Sequence, residues 1–280
     1  MKFTTIVWLS LLACLASAAS SDDTQDEPTT ARVVAHRGLL LDAPENTLAN
    51  FRACLELRLG FELDVRRSRD GHLVCVHDET VDRTTDGAGR VRDLTLKQLK
   101  ALDAGGWFDA GYRGQRVPTL EEVFAVLADH RDASVLIAVD LKGDDAEIER
   151  DVVALAERFK VLDRLLFIGR AISVAEVRQR LRRASAESHV ACVANNAGEF
   201  DAALADRNAD WVYVRYVPSP EEAECVHKAG KKLFIAGPTV AGRETENWRT
   251  AVEHGVDALL TDYSIELRRA LRAWNAADTN

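Results

Sequence analysis

Short β-rich apolar runs recur along the chain, at residues 33–35, 61–65, 73–76, 135–141, 165–168, 190–193, 211–214, 233–236 and 258–260. Between most of them lie stretches with helical spacing. In 47–58, Leu48, Phe51 and Leu55 form one stripe that Leu59 continues; 120–128, 147–159, 174–181, 200–205, 221–229 and 248–252 repeat the pattern. Alternating β and α segments with near-continuous apolar strands predict a parallel sheet covered by helices. About eight such units in a chain of this size predict an α/β fold of the (β/α)8 TIM-type barrel class. A doubly wound open sheet is the alternative, but no glycine-rich phosphate loop follows the first strand.

Two places break the rhythm. Runs 61–67 and 72–76 are joined by Ser68-Arg69-Asp70-Gly71, too short for a helix, and Asp-Gly between strands predicts a hairpin. With a two-residue turn, Arg69 pairs with His72 and Asp64 faces His77. The stretch 79–118 has weak periodicity and many glycines, with one helical piece at 94–102. It is expected to be a loop-rich insertion over the barrel mouth, after the third strand.

The N-terminus is expected to lie outside the fold. Lys2, an apolar run and Ala16-Ser17-Ala18 read as a secretory signal cleaved after Ala18. The competing reading is a lipoprotein box, Leu11-Leu12-Ala13-Cys14, which would lipidate Cys14 and give the only membrane attachment. The expected organisation is a signal at 1–18, an acidic tether at 19–31, the barrel at 32–274 and a tail at 275–280. The expected location is exported: periplasmic or secreted, or a lipoprotein. The cysteines Cys54, Cys75, Cys192 and Cys225 sit in apolar stretches at scattered spacing, which predicts buried free thiols.

The 280 residues are 47% hydrophobic and 29% charged, which excludes disordered and disulfide-dense classes. A net charge of −9 argues against nucleic acid and anionic lipid as partners. The run 178–183, rich in arginine, is read as a solvated helix face. His72, His130, His189, His227 and His254 are read as surface or packing residues, and Asp144-Asp145 as a helix start.

Barrel chemistry gathers at the C-terminal ends of strands. Those ends carry His36-Arg37, Glu62 and Asp64 on one face, His77-Asp78, Asp140 and Lys142 on one face, and Thr261-Asp262. Glu62, Asp64 and Asp140 are hard oxygen ligands suited to Ca2+ or Mg2+. His36 and His77 can move protons near neutral pH, and Arg37 and Lys142 can hold a phosphate. The set points to phosphoryl chemistry.

Those residues also carry a resemblance. His36-Arg37-Gly38, Pro44-Glu45-Asn46-Thr47, Glu62-x-Asp64 and His77-Asp78 resemble, in order, the motifs of the glycerophosphodiester phosphodiesterase family. Arg83-Thr84-Thr85 with Gly87 and Gly89, Pro118-Thr119-Leu120-Glu121-Glu122, and 255–257 leading to Thr261-Asp262 extend the likeness over nearly all of the mature chain.

The resemblance implies a (β/α)8 barrel that converts a small-molecule glycerophosphodiester into glycerol 3-phosphate and an alcohol. It implies an insertion after His77-Asp78, His36 and His77 as the acid–base pair, and metal on Glu62 and Asp64. Arg37 and Lys142 would contact phosphate, with Glu45 and Asn46 supporting the site. The third metal ligand, usually Glu in the family, is Asp140 here. A late-strand W-T-V-N segment, whose Trp lines the family's pocket, is replaced by Gly237-Pro238-Thr239-Val240. Two other readings compete: a sphingomyelinase D-like phospholipase with Trp107-Phe108 on its rim, and a non-catalytic exported barrel.

Overall fold

The computed structural model describes residues 31–130, 134–143 and 145–278. The expected signal, nearly all of the tether, Cys14 and Asp144 lie outside the described residues.

Eight parallel strands close into a barrel. They are β1 (Arg32–Ala35), β2 (Gly60–Arg67), β4 (Ile137–Leu141), β5 (Leu165–Gly169), β6 (His189–Ala194), β7 (Trp211–Val214), β8 (Lys232–Ile235) and β9 (Ala258–Thr261). Pairing of β1 with both β9 and β2 completes the ring. Alternation sorts each strand's side chains. Ala138, Leu166, Trp211, Phe234 and Leu260 fill the interior. Phe61, Leu63, Val139, Phe167 and Val212 face the helices in the larger outer core.

The ring helices are α1 (Leu48–Glu56), α3 (Leu120–Asp129), α4 (Ile148–Phe159), α5 (Arg170–Ser173), α6 (Ala175–Ala184), α7 (Phe200–Ala205), α8 (Pro220–Lys228), α9 (Thr245–Glu253) and α10 (Ser264–Asp278). Several are started by hydroxyl caps. Thr119 and Ser219 each accept from the backbone three residues on, and Glu122 and Glu222 reach back to close capping boxes. Helix α10 runs past the Trp274 boundary expected for the barrel.

The third strand in sequence, β3 (Leu73–Cys75), stands outside the ring and pairs antiparallel with the upper end of β2. Its register differs from the two-residue expectation. Arg67 opposes Leu73 and Val65 opposes Cys75, so the loop has three residues. Gly71 takes a left-handed φ of +89° there, and the Ser68 hydroxyl accepts from the His72 N–H and donates to Asp70. This is the three-residue hairpin that places its glycine last. Asp64 therefore opposes Val76, whose N–H it receives, and His77 lies beyond the ladder.

The insertion follows β3. Its short helix α2 (Leu96–Ala101) helps enclose a small core of its own, built from Val74, Val76, Val81, Val91, Leu99 and Val117.

Two other expectations need correction. Cys54, Cys75 and Cys192 are buried free thiols, but Cys225 is exposed on α8. The arginine-rich run is not simply a solvated face. Arg178 is buried against Asp206 and the carbonyls of Ala171 and Ile172, while Arg180 pairs with Glu149 and Arg182 with Asp210. Carboxylates from neighbouring elements neutralise guanidinium groups that would otherwise oppose burial.

Candidate active site

The register of β2 on β4 builds the centre of the mouth. Asp64 opposes Asp140, one two-residue step above the Glu62–Ala138 pair. Glu62 and Asp64 are fully buried, and Asp140 is partly buried. One oxygen from each of the three carboxylates lies within 4.8 Å of the others. The Lys142 ammonium bridges Asp140 and Asp64, 3.1 Å from Asp64 Oδ1.

Burial, reinforced by Asp64 and Asp140, holds the Glu62 carboxyl well above the ordinary carboxylate range. Burial also pushes Asp140 up, with Lys142 opposing. For Asp64 burial pushes upward too, but Lys142, His77, Asn46 and Arg37 outweigh it and hold the group low. Lys142 loses some basicity to burial and regains more from Asp64 and Asp140.

The donor set fits a divalent cation. Three hard carboxylates converge, burial and then mutual repulsion raise two of them, and buried Asp64 Oδ1 accepts no well-aligned hydrogen bond. Nearby glycine chemistry agrees. Gly169, ending β5 at φ +65°, lies against Asp140, and a Cβ there would overlap that carboxylate.

The loop after β1 supplies the next layer. Arg37 and Asn46 both adopt left-handed φ of +53°, a strained conformation for residues with a Cβ. Buried Asn50 over-determines it, accepting from the Leu39 N–H and donating to the carbonyls of Arg37, Ala43 and Pro44. The loop thereby aims the Arg37 N–H at Glu62 Oε2, 2.9 Å away. Asn46 clasps Asp64 twice, donating to Oδ2 at 2.7 Å and accepting its backbone N–H. The Arg37 guanidinium contacts Glu45 and lies 3.8 Å from Asp64.

His36 follows β1 and His77 follows β3. Each has its Nδ1 2.7 Å from a carboxylate oxygen, Asp262 for His36 and Asp78 for His77. Arg83, from the insertion, grips both oxygens of Glu45 and both of Asp78. That clamp and the His77 contact hold the Asp78 carboxyl far below its ordinary range. The Arg66 guanidinium donates twice to the His77 carbonyl.

All nine residues expected at the site thus gather at one mouth. The bracing roles of Asp262, Asp78, Arg83 and Arg66 were not assigned from sequence. Strand-end position marked the two aspartates, but their histidine contacts appear only once the barrel closes. The other histidines behave as expected: His189 meets Asp210, His227 meets Asp257 and His254 meets the Pro218 carbonyl.

The opposite wall is formed by β7 and β8. Tyr213 points inward, its hydroxyl kept protonated up to about 12 by burial, with Asp140 and Glu62 adding to the effect. The Arg215 guanidinium lies against Gly237. In the insertion, Trp107 packs edge-on to Phe108, and Phe108 to Tyr112.

A model of the glycerophosphoryl diester phosphodiesterase family matches residues 36–266. The chain belongs to that family. The matched range takes in all nine residues expected at the site. A glycerophosphodiester phosphodiesterase of Caldanaerobacter subterraneus subsp. tengcongensis is 33% identical over 82% of this chain and 93% of its own. One from Bacillus subtilis is 35% identical over 55% of each. The structure of an Agrobacterium tumefaciens glycerophosphodiester phosphodiesterase superposes with a TM-score of 0.70 at 28% identity, covering 84% of this chain and 97% of that one. An Oleispira antarctica phosphodiesterase, solved with sn-glycerol-3-phosphate, shares the fold at 24% identity and a TM-score of 0.68, over 87% and 97% of the chains.

Proposed function

We propose that the protein hydrolyses glycerophosphodiesters to glycerol 3-phosphate and an alcohol, using Ca2+ or Mg2+ on Glu62, Asp64 and Asp140. The observation that carries the mechanism is the matched pair of histidines, each with Nδ1 on a carboxylate. A carboxylate only accepts, so it holds the proton on Nδ1 and leaves Nε2 as the working nitrogen on both rings. One imidazole removes the proton of the glycerol 2-hydroxyl as that oxygen attacks phosphorus. The other gives a proton to the leaving alcohol oxygen as its P–O bond breaks. The two then exchange roles while water opens the cyclic phosphate to glycerol 3-phosphate. The bound cation would polarise the phosphoryl oxygens and offset charge building on them. Arg37 and Lys142 orient the phosphate, and Asn46 fixes Asp64 so that its oxygens keep their place.

Release of glycerol 3-phosphate from glycerophosphocholine, with Ca2+, Mg2+ or EDTA, tests this. Turnover should require cation and vanish in chelator, with the circular dichroism spectrum unchanged. His36→Ala and His77→Ala should each lower kcat by about 10²–10⁴, with cation affinity and melting temperature kept. Full activity in excess chelator overturns the metal assignment, and a near-parental kcat in either variant overturns the two-histidine mechanism.

A further inference from the structure

A basic cleft adjoins the carboxylates in a chain whose net charge is −9. Strand register places it. Lys142 donates its backbone N–H to the Val65 carbonyl and follows the Asp64–Asp140 rung, so Arg66 and Lys142 stand one step above those acids. That step is roughly 6.6 Å along the strands. From there a cleft of about 360 Å³ extends under the insertion, lined by the cations of Arg66, Arg67, Arg90, Arg92 and Lys142 and by the carboxylates of Glu79 and Asp145.

The cations are not equally committed. Arg67 is held by Asp145 and Asp151. Arg66 spends Nε and Nη2 on the His77 carbonyl. Arg90 has no carboxylate partner among the described residues, and Arg92 has only Asp93 at 4.0 Å. Of the two carboxylates lining the cleft, Glu79 is the one not held by Arg67, and Asp64, Asp78 and Asp140 act on Arg66 from the mouth but line no part of the cleft. Across the mouth from β2, a further cation follows β7. Arg215 lies against Gly237, and its guanidinium has no ion-pair partner among the described residues.

We infer that this cleft receives the leaving alcohol and selects alcohols bearing an anionic group, a phosphate monoester or a carboxylate, two or three carbons from the scissile phosphate. The diester's single charge is met at the Arg37–Lys142 level. The further cations of the cleft, Arg66, Arg90 and Arg92, are positioned for a second anion. A quaternary ammonium would face like charge there, and Gly237-Pro238 after β8 offers it no aromatic ring. The inference rests on the glycerophosphodiester reading.

The test compares kcat/KM for four glycerophosphodiesters whose leaving groups are choline, glycerol, glycerol 3-phosphate and glycolate. The last two should exceed the neutral glycerol diester by about tenfold, the worth of one hydrogen bond to a charged group, and choline should rank last. Which anionic substrate leads distinguishes phosphate from carboxylate recognition. The exposed pair Arg90→Gln/Arg92→Gln should erase the preference through KM and leave the neutral diester unchanged. Raising ionic strength should compress the preference, because the screening length falls to about 3 Å at 1 M. Equal kcat/KM for all four, or a preference that survives the double variant, overturns the inference and leaves the phosphodiesterase reading standing. No glycerol 3-phosphate from any of the four overturns that reading, and the inference with it.

Discussion

Gly169→Ala should weaken cation binding while leaving the barrel intact. Gly169 sits at φ +65° and ψ −124°, at the end of β5. That conformation suits glycine and costs a residue with a Cβ about 1–3 kcal/mol. For a chain of this size, each kcal/mol lowers the melting temperature by roughly 2–4 °C, so a loss of several degrees is expected from backbone strain. The second effect is specific to the site. The added Cβ would stand 3.0 Å from Asp140 Oδ2 and overlap the rest of that carboxylate, which must rotate away. Asp140 then leaves the group of oxygens now within 4.8 Å of one another. Disturbing the support of a metal ligand typically costs 10–100-fold in affinity, so the dissociation constants for Ca2+ and Mg2+ should rise by about that factor.

Gly230→Ala separates the two effects. Gly230 has a similar φ of +70°, but a Cβ there meets nothing within 4 Å. It should lower the melting temperature and leave cation affinity unchanged. Calorimetric titration with each cation, beside thermal melts of both variants, gives the readout. Parental affinity in Gly169→Ala would refute the role given to Asp140. An equal loss in Gly230→Ala would show that backbone strain, not carboxylate displacement, was measured.

Two further outcomes are expected. Asp210 is held below its ordinary range: burial pushes it up, but His189, the Val190 N–H and Arg182 outweigh burial. Its depressed folded pKa stabilises the fold fully above the unfolded value near 3.9, and that contribution is lost as pH falls through the lower folded value. The melting temperature of Asp210→Asn should therefore lie below the parent's at pH 7 and converge with it in strong acid; a constant gap across pH would contradict this. We also propose that the chain is exported. Mass spectrometry of the mature protein should show a start at Ala19 or a lipidated Cys14, and a mature chain starting at Met1 would contradict it.

The barrel was legible because its signal is local and repeated: each strand and helix announces its own period. The three converging carboxylates proposed to hold the cation were legible for the same reason. A period of two puts Glu62 with Asp64, and Asp140 with Lys142, on the inward face of a strand. What escaped depends on contacts between distant segments or on one backbone angle. Asp-Gly suits a two-residue turn, yet Ser68 and the left-handed Gly71 make it three, and one residue of slip moves every opposed pair. His36 and Asp262 are 226 residues apart. Burial of Arg178 depends on Asp206 arriving from the next unit. Gly169 matters only because Asp140 lies against it, and no local pattern marks that.

The hairpin explains why the site forms on β2 and β4. Had β3 entered the ring, it would have separated Asp64 from Asp140. Because β3 instead folds back on the upper part of β2, β4 becomes the parallel neighbour of β2 and the two inward rows stand in register. An acidic level and a basic level then stack in order, Asp64 with Asp140 below Arg66 with Lys142. The same excursion launches the insertion over the mouth, bringing Arg83 to Glu45 and Asp78. It also accounts for an aspartate at a position where the family resemblance implies glutamate. Asp140 is one methylene shorter, but direct pairing with Asp64 already brings its oxygens within reach of Glu62 and Asp64, and Gly169 leaves its carboxylate room to lie there. Lengthening Asp140 without moving Gly169 would carry the carboxylate past the point where the three meet.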